Sequence, residues 1–350
     1  MLCHNIDHNL AWDVTGKVKP CNWLDTFPSK STVTDLKSSI EYQQLQHNNL
    51  NDVKSNFCQK CWDKESYGQT SKRQADNKIA QIYKKLNPNF LKIDAAIGDK
   101  CNAACVICNP NSSSLWQKEL YGKIIPIRKN TTLWNEILDR QENIVQLDFG
   151  GGEPWVNDLP QQIELLQTLI NEGISTHIKL RYNTNGSIFP KQLINLFEKF
   201  REVEITLSID DIEERFEYNR YPLKWVEVYQ NVLRLVDLER NNAIIKLTIN
   251  YTISVFTFLY YEKFVEYSKT ALGISNISTS VLHNPIEYNI KSLPKFCKER
   301  VPNTNIFYNL LGTEPLENWN QCFLDKVTIL EQRRDNSFQK TFPKLYNTLF

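Results

Sequence analysis

Nine cysteines, at 3, 21, 58, 61, 101, 105, 108, 297 and 322, are the residues of this 350-residue chain whose type and spacing can do chemistry. The tightest group is Cys101-Asn-Ala-Ala-Cys105-Val-Ile-Cys108. An odd total fits a disulfide framework poorly. The start, Met-Leu-Cys-His-Asn-Ile-Asp, lacks the basic and apolar regions of a secretory signal. The expected compartment is therefore the reducing cytoplasm, where clustered cysteines hold metal or act in catalysis. Three thiolates on one loop can ligate three irons of a cubane [4Fe–4S] cluster. The fourth iron would then stay open to a reactant, as the open position of a catalytic zinc site does. The same residues also fit a zinc site completed by histidine, a four-cysteine cluster completed by Cys297 or Cys322, or buried apolar thiols.

A second group is more dispersed. Cys3 and Cys21 flank Val14-Thr15-Gly16-Lys17-Val18, which reads as the turn of a short hairpin with a thiol at each end. Joined by Cys58-x2-Cys61, that hairpin can close a four-thiolate site. A segment of roughly 60 residues buries little apolar surface, so a metal core would help it fold. His4 and His8 keep a mixed cysteine–histidine zinc site open. Cys297 and Cys322 read most simply as buried apolar thiols.

Positioning these groups falls to strands and helices that alternate from about residue 90 onward. Strands are expected at Phe90–Ile97, Ile144–Phe149, His177–Tyr182, Val203–Ile209, Ile244–Thr252 and Ile274–Leu282. Helices are expected at Asp158–Glu172, Pro190–Arg201, Trp225–Leu238 and Tyr260–Ser268, with a helical tail from Asn318 to Pro343. This alternation predicts an α/β fold, with a parallel sheet and right-handed crossovers. The Ile, Leu and Val content of the strands predicts burial on both faces. Six βα units are fewer than the eight of a closed barrel, so a partial (β/α)6 TIM-like barrel is expected, with a doubly wound sheet as the alternative. Either places the chemistry at the C-terminal strand ends. The expected organisation is a cysteine-rich β-hairpin domain over 1–65, a linker or surface helix over 66–89, the partial barrel over 90–290 and a helical extension over 291–350.

Composition narrows the function. With 41% hydrophobic and 23% charged residues the chain is globular rather than disordered. A net charge of +1 argues against a nucleic-acid partner held by a basic face. No apolar run approaches the ~20 residues of a membrane span. No phosphate-binding, dinucleotide or nucleophile-elbow motif competes with the cysteines.

Four motifs in order on successive strands resemble radical S-adenosylmethionine (radical SAM) enzymes, over about 90–290. They are the C-x3-C-x2-C triplet, Gly151-Gly152-Glu153-Pro154, Asn183-Thr184-Asn185-Gly186 and Ser208-Ile209-Asp210. The resemblance implies that Cys101, Cys105 and Cys108 hold a cluster whose open iron chelates S-adenosyl-L-methionine. Gly151 and Gly152 would let backbone approach the methionine moiety, and Glu153 or a neighbouring carbonyl would accept from its ammonium. Asn185 and Ser208 suit the ribose hydroxyls and the carboxylate, and Arg220 would pair with that carboxylate. Two departures stand out. Ile107 sits where the family often has an aromatic residue near the adenine, and Asp210-Asp211 replaces the frequent Asp-Gly.

The N-terminal spacing C-x12-G-x4-C, followed by Cys58-x2-Cys61, resembles the twitch and SPASM modules that hold an auxiliary [4Fe–4S] cluster. Those usually follow the barrel, whereas this one precedes it. The tail from Arg333-Arg334-Asp335 to Phe342-Pro343 is similar to that of radical SAM proteins with an N-terminal twitch domain. The family implies an oxidoreductase supplied with electrons by flavodoxin or ferredoxin. A 5′-deoxyadenosyl radical would abstract hydrogen from a peptide or small molecule, with epimerisation or cross-linking as other outcomes. Trp155, Tyr182, Asp210 and Tyr251 are candidates near the barrel mouth, and Cys297 or Cys322 for hydrogen-atom donation. The competing expectation is a zinc-stabilised binding module without turnover.

Overall fold

The alternation is plainest in Ile-Lys-Leu-Thr-Ile-Asn-Tyr-Thr-Ile, which forms the strand Ile245–Ile253. Its odd-numbered residues are buried, while Lys246, Thr248, Asn250 and Thr252 are not. Successive side chains of a strand point to opposite faces, so this pattern makes one apolar and one polar face. In the computed structural model, which describes residues 2–24, 26–66, 68, 70–125 and 132–350, that strand belongs to an eight-stranded sheet. The strands are β1 (Asn9–Trp12), β2 (Val18–Lys19), β3 (Leu91–Ala96), β4 (Ile144–Gly150), β5 (Lys179–Thr184), β6 (Glu202–Ser208), β7 (Ile245–Ile253) and β8 (Ile277–Val281).

Their spatial order is β2-β1-β3-β4-β5-β6-β7-β8. β1 and β2 are antiparallel, and every other neighbouring pair is parallel. From β3 onward the order follows the chain without the reversal that a doubly wound sheet requires. Right-handed crossovers of one sense then place the connecting helices on one face. Leu159–Asn171 and Trp225–Asn241 bury Leu165, Leu166, Leu169, Val228, Val232 and Leu235 in one core with Leu147, Leu180, Ile205 and Leu247.

Several expectations are corrected. The strands are apolar on one face only. The other face carries the row Asp94, Asp148, Arg181, Glu204 and Lys246, which are register partners across five strands. The N-terminal hairpin forms, with Gly16 at φ 80° in its turn, and β1 adds in parallel beside β3. The helix expected over 190–201 is a short turn, Lys191–Ile194, followed by a 3-10 turn, Phe197–Lys199. Pro343 opens the helix Pro343–Leu349 instead of ending one, as suits a residue without an N–H at a first turn.

The stretch before β3 holds two helices, Gln59–Ser66 and Lys72–Leu86. A capping box between Ser71 and Gln74 starts the second. That helix lies across the polar face: Asp76 pairs with Lys92 at 2.8 Å, and Tyr83 donates to Gln146 at 2.6 Å. Among the described residues no helix is long and apolar enough to cross a membrane.

Candidate active site

The loop after β3 carries the three thiols, and four residues hold it. Ser113 caps the helix Ser114–Tyr121 and donates its hydroxyl to the Ala103 carbonyl at 2.7 Å. Trp116 Nε1 donates to the Cys105 carbonyl at 2.8 Å. Ala104 N and Val106 N donate to the carbonyls of Tyr221 and Asn219, at 2.6 and 2.9 Å. Cys105 is buried, and Cys101 and Cys108 are half-buried. Burial pushes the Cys101 thiol up to about 12, and Cys105 adds to the rise. Burial, then Cys105, pushes Cys108 up to about 11. Of the three, Cys105 is the thiol that acts on both of the others.

Gly151 and Gly152 pack against this loop. Gly151 has φ 84°, and an added Cβ would lie 2.7 Å from the Gly98 carbonyl oxygen. At Gly152 it would lie 2.2 Å from that of Lys100. The close approach these glycines permit is thus to the cysteine loop's own backbone. Asn157, which the sequence did not single out, joins the same two segments: its Nδ2 donates to Lys100 O at 2.7 Å and its Oδ1 accepts from Lys100 N at 3.2 Å.

Glu153 is buried and turned inward. Its carboxylate accepts from Asn185 N at 2.7 Å, Thr184 Oγ1 at 2.7 Å and Trp155 N at 3.1 Å. Burial nevertheless pushes it up to about 7. Asn185 ties the end of β5 to the cysteine loop through Asn102 Oδ1, at 2.9 Å. Its own Oδ1 accepts from the amide and hydroxyl of Ser187. Ser208 ends β6 beside Asn250 and has no side-chain hydrogen bond among the described residues. Ile107 is half-buried.

Arg220 and Asp210 come together behind the triplet. Arg220 Nη2 donates to Asp210, and Nη1 lies 3.8 Å from Cys105 Sγ. Of the candidates near the barrel mouth, Tyr182 and Tyr251 lie on the helix-covered face. Tyr182 stacks on Phe149 at 4.9 Å between ring centres, and Tyr251 donates to the Thr257 carbonyl at 3.0 Å. Trp155 is fully buried. Cys297 is buried, as expected of an apolar thiol, but Cys322 is exposed.

The same causes act at the N-terminal cysteines. Burial pushes Cys3 up to about 12, with Cys21, Cys58 and Cys61 adding to the rise. Cys58 is pushed to about 12 by burial and then by Cys61 and Cys21. Asn49 holds Cys3 in place, accepting from its amide at 2.8 Å and donating to its carbonyl at 3.0 Å. His8 faces elsewhere: its Nδ1 is 2.9 Å from the Phe90 carbonyl and its ring stacks on Phe90 at 4.3 Å. All nine cysteines are free of disulfides.

Both thiol groups fit a multi-iron cofactor by their donor chemistry. Buried thiols that raise one another's pKa are costly to ionise alone, and bound metal cations reverse that cost. Among the described residues no three His, Cys, Asp or Glu side chains are gathered as one single ion would need. A cluster of several irons spreads its ligands more widely.

The polar face of the sheet has two halves. Its N-terminal half is ion-paired, with Arg181 between Asp148 and Glu204 at 3.1 and 3.2 Å, and borders a cavity of about 760 Å³ under Tyr83. Towards the cysteine loop the register rows are uncharged: Thr206 with Thr248, Ser208 with Asn250 and Ser278, and Thr252 with Ser280.

No family model matches the chain, and no curated protein does. Among solved structures it is similar to native anSMEcpe with bound AdoMet, at 18% identity over 66% of this chain and 60% of that one, with a TM-score of 0.44. It is similar to Streptococcus suis SuiB bound to S-adenosylmethionine, at 14% identity over 85% and 61%, with a TM-score of 0.42. A third is the radical S-adenosylmethionine methyltransferase TsrM from Kitasatospora setae, at 13% identity over 52% and 34%, with a TM-score of 0.36. The chain spans less than two thirds of the length of each.

Proposed function

We propose that this chain is a radical SAM enzyme built on a partial barrel, with a second cluster on Cys3, Cys21, Cys58 and Cys61. The observation that carries the proposal is the triplet itself. Three thiols lie on one loop at the C-terminal end of β3, that loop is tied to the Tyr221 and Asn219 carbonyls, and the strand-end glycines of β4 pack against the backbone that leads into it. When bound, a [4Fe–4S] cluster with S-adenosyl-L-methionine would supply one-electron cleavage of a sulfonium C–S bond, and with it the 5′-deoxyadenosyl radical chemistry that removes a hydrogen atom from substrate.

The chain's own residues position and exclude. Cys101, Cys105 and Cys108 are the ligands, and the helix Ser114–Tyr121 fixes their loop. Glu153 spends its carboxylate on Asn185, Thr184 and Trp155, so its part is to lock the β4 and β5 ends together beside the cofactor. Ser208, without a side-chain hydrogen bond among the described residues, is the hydroxyl available to ribose or carboxylate. The uncharged rows of β6–β8 offer hydrogen bonds to a peptide or small molecule. A flavodoxin or ferredoxin is the class of reductant the chemistry needs.

The experiment is anaerobic reconstitution with iron and sulfide, followed by reduction with S-adenosyl-L-methionine present. 5′-Deoxyadenosine is expected from the unaltered protein and none from Cys105→Ala. Equal formation by both would remove the triplet from the reaction.

A further inference from the structure

Among the described residues, Cys105 is the sulfur of the triplet with a cationic hydrogen-bond donor. Arg220 is buried, with Nη1 3.8 Å from Cys105 Sγ, Nη2 on Asp210, and Nε buried without a partner. Cys108 Sγ has a donor–acceptor contact with the Asn109 carbonyl at 3.8 Å and feels the Arg220 charge only through space, while the carboxylate of Glu153 is among the groups acting on Cys101.

Asp210 is fixed independently. Its Oδ1 accepts from Thr252 N on β7 at 2.7 Å, and its main-chain carbonyl accepts from Asn219 Nδ2 at 3.3 Å. Arg220 is held at the end of the helix Glu213–Asn219, its amide donating to Phe216 O at 2.8 Å. The guanidinium cannot swing towards another group without leaving a buried carboxylate unpaired, which is strongly unfavourable.

We propose that Arg220 and Asp210 are positioning residues that set, with opposite signs, the reduction potential of a cluster carried by Cys101, Cys105 and Cys108. This rests on the reading that the triplet holds such a cluster. Hydrogen bonds to ligand sulfur and local charge are the levers by which a protein tunes iron–sulfur potentials, and in a buried site a fixed charge acts with little screening. The guanidinium stabilises the reduced, more negative state. The carboxylate opposes it and keeps the potential low enough for the reduced state to remain a strong donor. The pair is a balance: losing the cation makes reduction harder, and neutralising the anion makes it easier.

The test is an anaerobic redox titration followed by electron paramagnetic resonance. It is run in a Cys58→Ser, Cys61→Ser background so that one cluster contributes. Arg220→Met should shift the reduction equilibrium about tenfold towards the oxidised form, or about 59 mV for one electron. Asp210→Asn should shift it in the opposite direction. The double variant, which buries no unpaired charge, should return towards the unaltered value. Should Arg220→Met fold poorly, Arg220→Lys and Arg220→Gln separate charge from hydrogen bonding: the Gln variant should still move the potential down and the Lys variant stay near the unaltered value.

A purely structural pair would change iron content without opposite shifts in potential. Loaded variants whose potentials do not move, or move the same way, overturn the inference and leave the enzyme reading standing. An unaltered triplet that assembles no cluster overturns both, and iron content tells the two failures apart.

Discussion

Arg334 grips Glu119 across 215 residues of sequence, with three N–H···O contacts of 3.1–3.2 Å. Its guanidinium also lies over the rings of Trp116 and Tyr221, at 4.6 and 4.9 Å. Both aromatic residues hold the cysteine loop directly, Trp116 through the Cys105 carbonyl and Tyr221 through the Ala104 amide. The C-terminal extension is therefore a clamp on the triplet. Arg334→Met leaves Glu119 partly buried and unpaired, and breaking a buried pair this way costs about 3–5 kcal/mol. A lower thermal midpoint and faster iron loss should follow. Unchanged values for both would contradict the clamp.

Gly152 sets up a paired comparison. A Cβ there would collide with the Lys100 backbone, whereas at Gly150 nothing lies within 4 Å. Gly152→Ala should therefore cost the triplet its metal, with content falling from about eight irons to about four. Gly150→Ala should retain both clusters. Equal iron in the two variants would show that the glycine contact does not shape the loop.

Glu153 predicts a pH dependence in the metal-free protein. Burial raises its folded-state pKa from 4.5 to about 7, so the folded chain binds the proton more tightly than the unfolded one. Stability from this group is then full at low pH and is lost as pH rises from 4.5 through about 7. Denaturation midpoints across this window should fall more steeply for the unaltered protein than for Glu153→Gln. Parallel curves would mean that the carboxylate is not held as described.

The N-terminal site separates thiolate from mixed ligation. Because His8 is turned to Phe90, His8→Ala should leave metal content intact. Cys58→Ser together with Cys61→Ser should remove about four irons while S-adenosyl-L-methionine cleavage at the triplet continues. Zinc in place of iron at this site, found by elemental analysis of anaerobically purified protein, would replace the auxiliary cluster with a structural metal.

Much of the frame was legible along the chain. Cys101, Cys105 and Cys108 follow a strand, and Gly151-Gly152 ends the next one, because strand propensity and tight turns are local properties. The polar face was legible as well, in the strict alternation of Lys246, Thr248, Asn250 and Thr252, but total apolar content masked it. Other features had no local signature. β1 pairs with β3 across more than 80 residues, and Arg334 reaches Glu119 only once the tail has packed. The three donors that Glu153 accepts from within the chain are invisible before β4 and β5 lie side by side.

The central claim is an iron corner left open for a sulfonium. The direct measurement is electron paramagnetic resonance of the reduced triplet cluster, in the Cys58→Ser, Cys61→Ser background, before and after adding S-adenosyl-L-methionine. A changed signal is predicted, since the cofactor would bind that iron. A signal that stays the same under saturating S-adenosyl-L-methionine, from a cluster already holding four protein ligands, would contradict the account.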